Sequence, residues 1–145
     1  MNRLIKILLI CLCFVWGTII LNSQALAITM SFSPSSAIIG IGDPLDVDII
    51  ISGMENDDLA EFSFDVNYDS AVLNFDSYVL GTELTDPVFG QDDWSAGDLG
   101  GGAINLSELS GLFDFSAQPD SFTLATVSFI GNAIGNSGLS FTNVI

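Results

Sequence analysis

Between Ile28 and Ile145 the sequence has no lysine, arginine, histidine or cysteine. The two basic residues of the chain, Arg3 and Lys6, and its two cysteines, Cys11 and Cys13, all stand near the N-terminus. Each absence closes off a class of chemistry. Without histidine, cysteine or lysine there is no Ser-His pair, no thiolate nucleophile, no Schiff-base lysine and no imidazole or thiolate set for a transition metal. Without cysteine there is no disulfide, so stability must come from an apolar core and backbone hydrogen bonds. Without a cation no side-chain salt bridge can form. Nothing in the region can neutralise phosphates either, which argues against nucleic acid and anionic lipid as partners. All 18 acidic residues of the chain fall here. Their self-repulsion opposes folding and is relieved by salt or divalent cations.

Carboxylates alone could serve a glycosidase or an aspartic protease. The protease would show Asp-Thr-Gly or Asp-Ser-Gly, and neither occurs. A glycosidase would find little room for a cleft in a region this short. The glycine-rich run from Gly97 to Gly102 lacks the Lys-Ser/Thr of a phosphate loop and reads as a flexible connection. Asp57-Asp58 and Asp92-Asp93 are acidic pairs without the spaced Asp-x-Asp-x-Asp-Gly pattern of a calcium loop, so weak cation attraction is expected there. The expectation is a protein that is not an enzyme and needs neither cofactor nor structural metal.

What is present at the N-terminus is an export signal. Arg3 and Lys6 precede an apolar run reaching Leu21, and Ala25-Leu26-Ala27 supplies the small-x-small pattern of a cleavage site. Residues 1–27 are therefore read as a signal peptide and residues 28–145 as the exported domain, secreted or held at the cell surface. The alternative is an uncleaved anchor, since the run is just long enough to span a bilayer. After cleavage no membrane association is expected.

The rest of the chain reads as strands separated by turns. Ile28 to Phe32 is a short first strand. Leu45, Val47, Ile49 and Ile51 mark a half-buried second one, entered through Gly42-Asp43-Pro44. Leu59 to Tyr68 alternates most clearly, with Phe62, Phe64, Val66 and Tyr68 on one face and Glu61, Ser63, Asp65 and Asn67 on the other. Val72 to Leu80 follows, then an irregular stretch from Gly81 to Gly102. Ala103 to Leu106, Phe122 to Ile130 and Leu139 to Val144 complete the strands, and Ser107 to Leu112 has the makings of one helical turn. Seven or eight short strands with Gly, Asn and Asp turns imply an all-β protein, an antiparallel sandwich. Val47, Ile49, Phe62, Phe64, Val66, Val127 and Phe129 are expected to share its core.

Four segments, taken in order, resemble the cohesin domain family. Gly42-Asp43-Pro44-Leu45-Asp46-Val47 is similar to the family's early Gly-Asp segment. Leu59-Ala60-Glu61-Phe62-Ser63-Phe64 with Tyr68-Asp69-Ser70-Ala71-Val72-Leu73 resembles its central strand and turn. Leu124-Ala125-Thr126-Val127-Ser128-Phe129 and Gly135 to Phe141 resemble its late strands. The resemblance implies a β-sandwich of jelly-roll topology that binds another module, a dockerin-type or other extracellular protein, in some settings linked to polysaccharide degradation. It also implies a closing strand beside the first one. That strand is expected to be missing from this sequence, which would leave the first strand as an open edge.

The outward row Glu61, Ser63, Asp65 and Asn67 is then the candidate partner-binding surface, although an ordinary solvated sheet face would look the same. Trp94 is a candidate carbohydrate-binding residue if the domain is instead a carbohydrate-binding module on the related sandwich fold. The competing expectation is that Trp94 packs over a sheet end. A line of exposed aromatics would favour glycan, and a flat polar sheet with a few apolar residues would favour protein. A structural surface-layer component is a third reading.

Overall fold

The structure is a computed structural model that describes residues 27–55 and 57–145. The signal peptide read over residues 1–27 lies outside the described residues, except for Ala27. Nine antiparallel strands make two sheets, and no helix occurs among the described residues. The first sheet has the order β1-β2-β8-β4, with β1 Thr29–Ser33, β2 Pro44–Ser52, β4 Leu73–Leu80 and β8 Ser121–Gly131. The second has the order β5-β7-β3-β9, with β3 Glu61–Asn67, β5 Asp92–Asp93, β7 Ala103–Leu109 and β9 Ser140–Thr142. Strand β6, Gly97–Gly100, pairs the same edge of β7 as β5 does, nearer its start.

Each long strand forms because its sequence has period two, which is the period of the pleat. In β2, Val47, Ile49 and Ile51 point inward. In β3 the inward set is Phe62, Phe64 and Val66, and in β8 it is Phe122, Leu124, Val127 and Phe129. All are buried in one core between the sheets, and every residue expected there is in it. Phe64 packs on Phe62 with ring centroids 5.3 Å apart and meets Phe141 edge-on at 5.6 Å. Tyr68 meets Phe129 edge-on at 5.2 Å.

The turn after β3 is built by Asp69. Its carboxylate accepts the Ala71 N–H at 2.9 Å, and its carbonyl accepts Val72 and Leu73 N–H at 3.0 and 2.9 Å. A short acidic side chain that bonds backbone two residues on suits a tight reversal, after which Leu73 re-enters the core.

Two local expectations are corrected. Ser107 to Leu112 is not a helical turn, because β7 stays paired with β3 as far as Leu109. Ladder bonding along the whole strand outweighs any local helical preference. The glycine run is not a loose connection either. It carries β6 and a tight return into β7. Gly102 has φ +87, and a Cβ there would collide with the Tyr68 carbonyl. The Tyr68 N–H donates to Gly102 O at 2.8 Å, so the close approach is itself a bonded one.

Candidate partner-binding face

The outer face of the β5-β7-β3-β9 sheet carries the candidate row. Register places Ser63 opposite Ser107, Asp65 opposite Asn105 and Thr142, and Asn67 opposite Ala103 and Ser140. These pairs share one side of the sheet, while Phe62, Phe64 and Val66 fill the other. The four candidates are thus brought onto one surface but are not equally available. Glu61 is exposed, and Ser63 and Asn67 are half-buried.

Asp65 is 9 % exposed. Its Oδ1 accepts Asn105 Nδ2–H at 2.8 Å, and Asn143 Nδ2–H donates to its Oδ2. In a chain without cations this is how a carboxylate can be held at a surface, by neutral amide donors on both sides. Asn67 Nδ2–H donates to Thr142 Oγ1 at 2.8 Å, which ties β3 to β9 across the same face. Asn105 Oδ1 accepts Ala96 N–H at 3.1 Å, so the residue that clamps Asp65 also anchors the segment between β5 and β6.

Trp94 belongs to this face. Its N–H donates to Ser107 O at 2.9 Å, continuing the β5–β7 pairing by one residue beyond Asp93. Asp93, exposed at the sheet edge, shares the side of the sheet to which Glu108 points, so alternation places Trp94 on the other side, in the cross-strand row of Ser107 and Ser63. It is 63 % exposed and does not pack over a sheet end. Among the described residues no other ring pairs with it. Phe89 pairs with Phe113 at 5.2 Å. Tyr78 instead donates its hydroxyl proton to Asp93 Oδ2 at 2.9 Å.

Behind this face lies a carboxyl that sequence reading did not single out. Glu108 of β7 points inward and is 2 % exposed, and its Oε1 has no hydrogen-bond partner. Burial pushes its pKa up to about 7, and the Asp93 carboxylate adds to the rise. Asp93 itself is held below its usual value by hydrogen bonds from Ser95 and Tyr78, against a desolvation that acts the other way. The signal for Glu108 was the alternation Ile104, Leu106, Glu108, which becomes visible once β7 is known to continue past Leu106.

Glu108 and Asp93 do not make a metal centre, for among the described residues no three Asp, Glu, His or Cys side chains converge. Two clefts open away from this face, lined in part by Ile39, Leu45 and Leu139 and by Met30, Phe62 and Val144 respectively. The face bearing the candidate row is open, polar and bonded across its strands, with apolar contributions from Trp94 and Leu109.

No protein-family model and no curated protein matches the chain by sequence. Solved structures do match by fold, and they are cohesin domains. A type II cohesin from the cellulosome of Acetivibrio cellulolyticus aligns with a TM-score of 0.64 at 20 % identity, covering 81 % of this chain and 74 % of its own. The sixth cohesin of that organism's scaffoldin B, crystallised with a Cel5 dockerin mutant, aligns at 0.60 and 17 %, covering 81 % and 82 %. A type I cohesin from Pseudobacteroides cellulosolvens aligns at 0.60 and 14 %, covering 81 % and 74 %. The chain has the cohesin fold.

Proposed function

We propose that this chain is a non-catalytic, extracellular binding module that docks a dockerin-type or other protein partner on the outer face of the β5-β7-β3-β9 sheet. The observation that carries the reading is the face itself, a polar sheet surface on which the exposed ring of Trp94 stands among bonded polar side chains. Protein interfaces of this kind place an aromatic anchor within a polar surround. Glu61, Ser63 and Trp94 are the contacts a partner would meet first, and Asp65 and Asn67 are the frame that holds the strands beneath them. The cohesin fold, and the dockerin complexes of proteins that share it, support the partner class. Export through the residue 1–27 leader sets the location at the cell surface or outside the cell. A connection with polysaccharide breakdown belongs to the same reading.

Every charged side chain between Ile28 and Ile145 is acidic, so the partner is expected to present Lys or Arg, with association slowing as salt rises because long-range steering is screened. The second reading, a carbohydrate-binding module, rests on the exposure of Trp94. The test is titration of candidate dockerins and of soluble and insoluble glycans with the wild type, Glu61→Arg and Trp94→Ala. Protein docking predicts dockerin affinity that falls in both variants. Glycan binding that survives Glu61→Arg and disappears in Trp94→Ala would replace it with the carbohydrate reading.

A further inference from the structure

Glu108 is a carboxyl that its surroundings cannot neutralise. It is 2 % exposed, its Oε1 accepts no hydrogen bond, and no side chain from Ile28 to Ile145 is cationic. Strand β3 sets Phe62 opposite it and β5 sets Asp93 opposite it. From the facing sheet the titratable side chain that reaches this place is Tyr78 of β4, whose hydroxyl donates to Asp93 Oδ2 at 2.9 Å. Glu61 and Asp92 both stand opposite Leu109 and so lie on the other side of the sheet. In the loop before β5, Glu83 is exposed and Asp86 accepts the Val88 and Phe89 N–H groups of its own turn. In the loop after β7, Asp114 is exposed and accepts the Ser116 N–H. Among the described residues the charge that faces Glu108 is that of Asp93, and it has the same sign.

The two carboxyl groups are also close. The Trp94 N–H donates to Ser107 O at 2.9 Å, which makes Trp94 and Ser107 a bonded pair of the ladder and Asp93 and Glu108 the non-bonded pair beside it. Side chains stand nearest one another at non-bonded positions. Of the strands around Glu108, β5 is the one that can yield. It is two residues long, both are exposed, and it pairs with β7 on the edge of the sheet opposite β9. Strand β3, by contrast, pairs with β7 from Glu61 to Asn67. The flanks of the segment are fixed. Gly90 exchanges both backbone bonds with Asp86 at 2.8 Å, and the Ala96 N–H donates to Asn105 Oδ1 at 3.1 Å. Release is thereby confined to residues 91–95, which include Trp94.

We propose that protonated Glu108 is a latch that keeps β5 on β7 and Trp94 on the outer face. When Glu108 loses its proton, the cross-strand pair becomes two facing carboxylates, and the chain relieves them by lifting residues 91–95 so that water reaches Glu108. The bonds given up are those of Trp94 and Ser95 to Ser107, backbone and hydroxyl groups that water can satisfy once they are exposed. Glu108 is then a positioning residue, which touches no partner and acts through the strand beside it. The effect on docking rests on Trp94 being a partner contact, whereas the latch does not. The closed strand holds the extra proton, so it is favoured at low pH. It is lost as pH rises from the ordinary 4.5 of a glutamate through the value of about 7 that burial and, to a smaller extent, Asp93 impose. The face therefore presents its aromatic anchor in acid and withdraws it in alkali.

Hydrogen exchange read by NMR on the protein recovered after export tests the latch with no partner present. The protection of the Trp94 N–H, corrected for intrinsic exchange at each pH, should fall on the order of 50-fold between pH 5 and pH 8. That is the change expected if Glu108 titrates at about 7 in the closed strand and at 4.5 in the open one. At every pH the Trp94 N–H should exchange at least about tenfold faster than that of Val127 in β8, the mark of local opening rather than global unfolding. Glu108→Gln keeps the shape of the protonated side chain and should abolish the pH dependence. Asp93→Asn keeps an acceptor for Tyr78 and Ser95 and should reduce the dependence without removing it, since burial remains. Trp94 protection that is flat with pH in the wild type, or that tracks Val127, overturns the proposal. So does a wild-type slope retained in either variant. Dockerin titration at the same pH values separates the docking reading. An affinity that stays constant while Trp94 opens leaves the latch standing and removes Trp94 from the contact.

Discussion

Glu108 of β7 stands opposite Asp93 of β5 on one side of the sheet, Glu108 enclosed and Asp93 exposed at the edge. Asp93 is satisfied by Tyr78 and Ser95, whereas Glu108 is enclosed without a partner for Oε1. Glu108 holds its proton to higher pH than an ordinary carboxyl, because burial and the like charge of Asp93 act together, while hydrogen bonds hold Asp93 below its usual value. The pair lies directly beneath the strand that presents Trp94.

The consequence for stability has a definite sign. Glu108 has a folded pKa of about 7 against an ordinary 4.5, so the folded state binds the extra proton between those values. Stability should therefore be highest below about pH 4.5 as far as this group is concerned, and should fall as pH rises towards 7. The total is about 3 kcal/mol. Urea unfolding at pH 5 and pH 8 measures it. Glu108→Gln should flatten the difference, which separates this group from the general repulsion of the other carboxylates. An unchanged slope in the variant would mean that Glu108 is not the group responsible.

Asp65 and Glu61 are two carboxylates of one row with different expected costs. Asp65→Ala strands the amide donors of Asn105 and Asn143 and should destabilise by about 1–3 kcal/mol. Glu61→Ala, on an exposed side chain, should stay within about 0.5 kcal/mol. Chemical denaturation of both variants is the check, and equal effects would contradict the division of this face into frame and contact.

Phe64 is fully buried between Phe62 and Phe141. Phe64→Ala should cost about 3–5 kcal/mol, by lost transfer energy and the cavity left behind. A thermal or urea midpoint close to wild type would place Phe64 outside the core.

Salt should raise the melting temperature of the exported domain, because every carboxylate there depends on solvent and counterions for neutralisation. Calorimetry across a sodium chloride series, at a concentration where the protein is monomeric, would show it. A falling midpoint would indicate that screened repulsion is not the dominant electrostatic effect.

The sequence by itself determined the strands with strict alternation, because period-two burial is written residue by residue in Val47 to Ile51 and Phe62 to Val66. It also determined the turn at Asp69, a local matter of one residue's carboxylate and carbonyl and the amides just after it, and between Ile28 and Ile145 it excluded salt bridges and disulfides by composition alone. Only the tertiary structure decided what depends on partners distant along the chain. Whether Asp65 is free or clamped turns on Asn105 and Asn143, 40 and 78 residues away. Trp94 is a face residue because a two-residue strand finds β7, a pairing too short to leave a periodic signal. Glu108 reads as an ordinary polar residue until β3 pairs with β7 along its whole length and turns that carboxyl inward. Each of these outcomes follows from burial and long-range pairing, which are properties of the whole fold rather than of any local stretch.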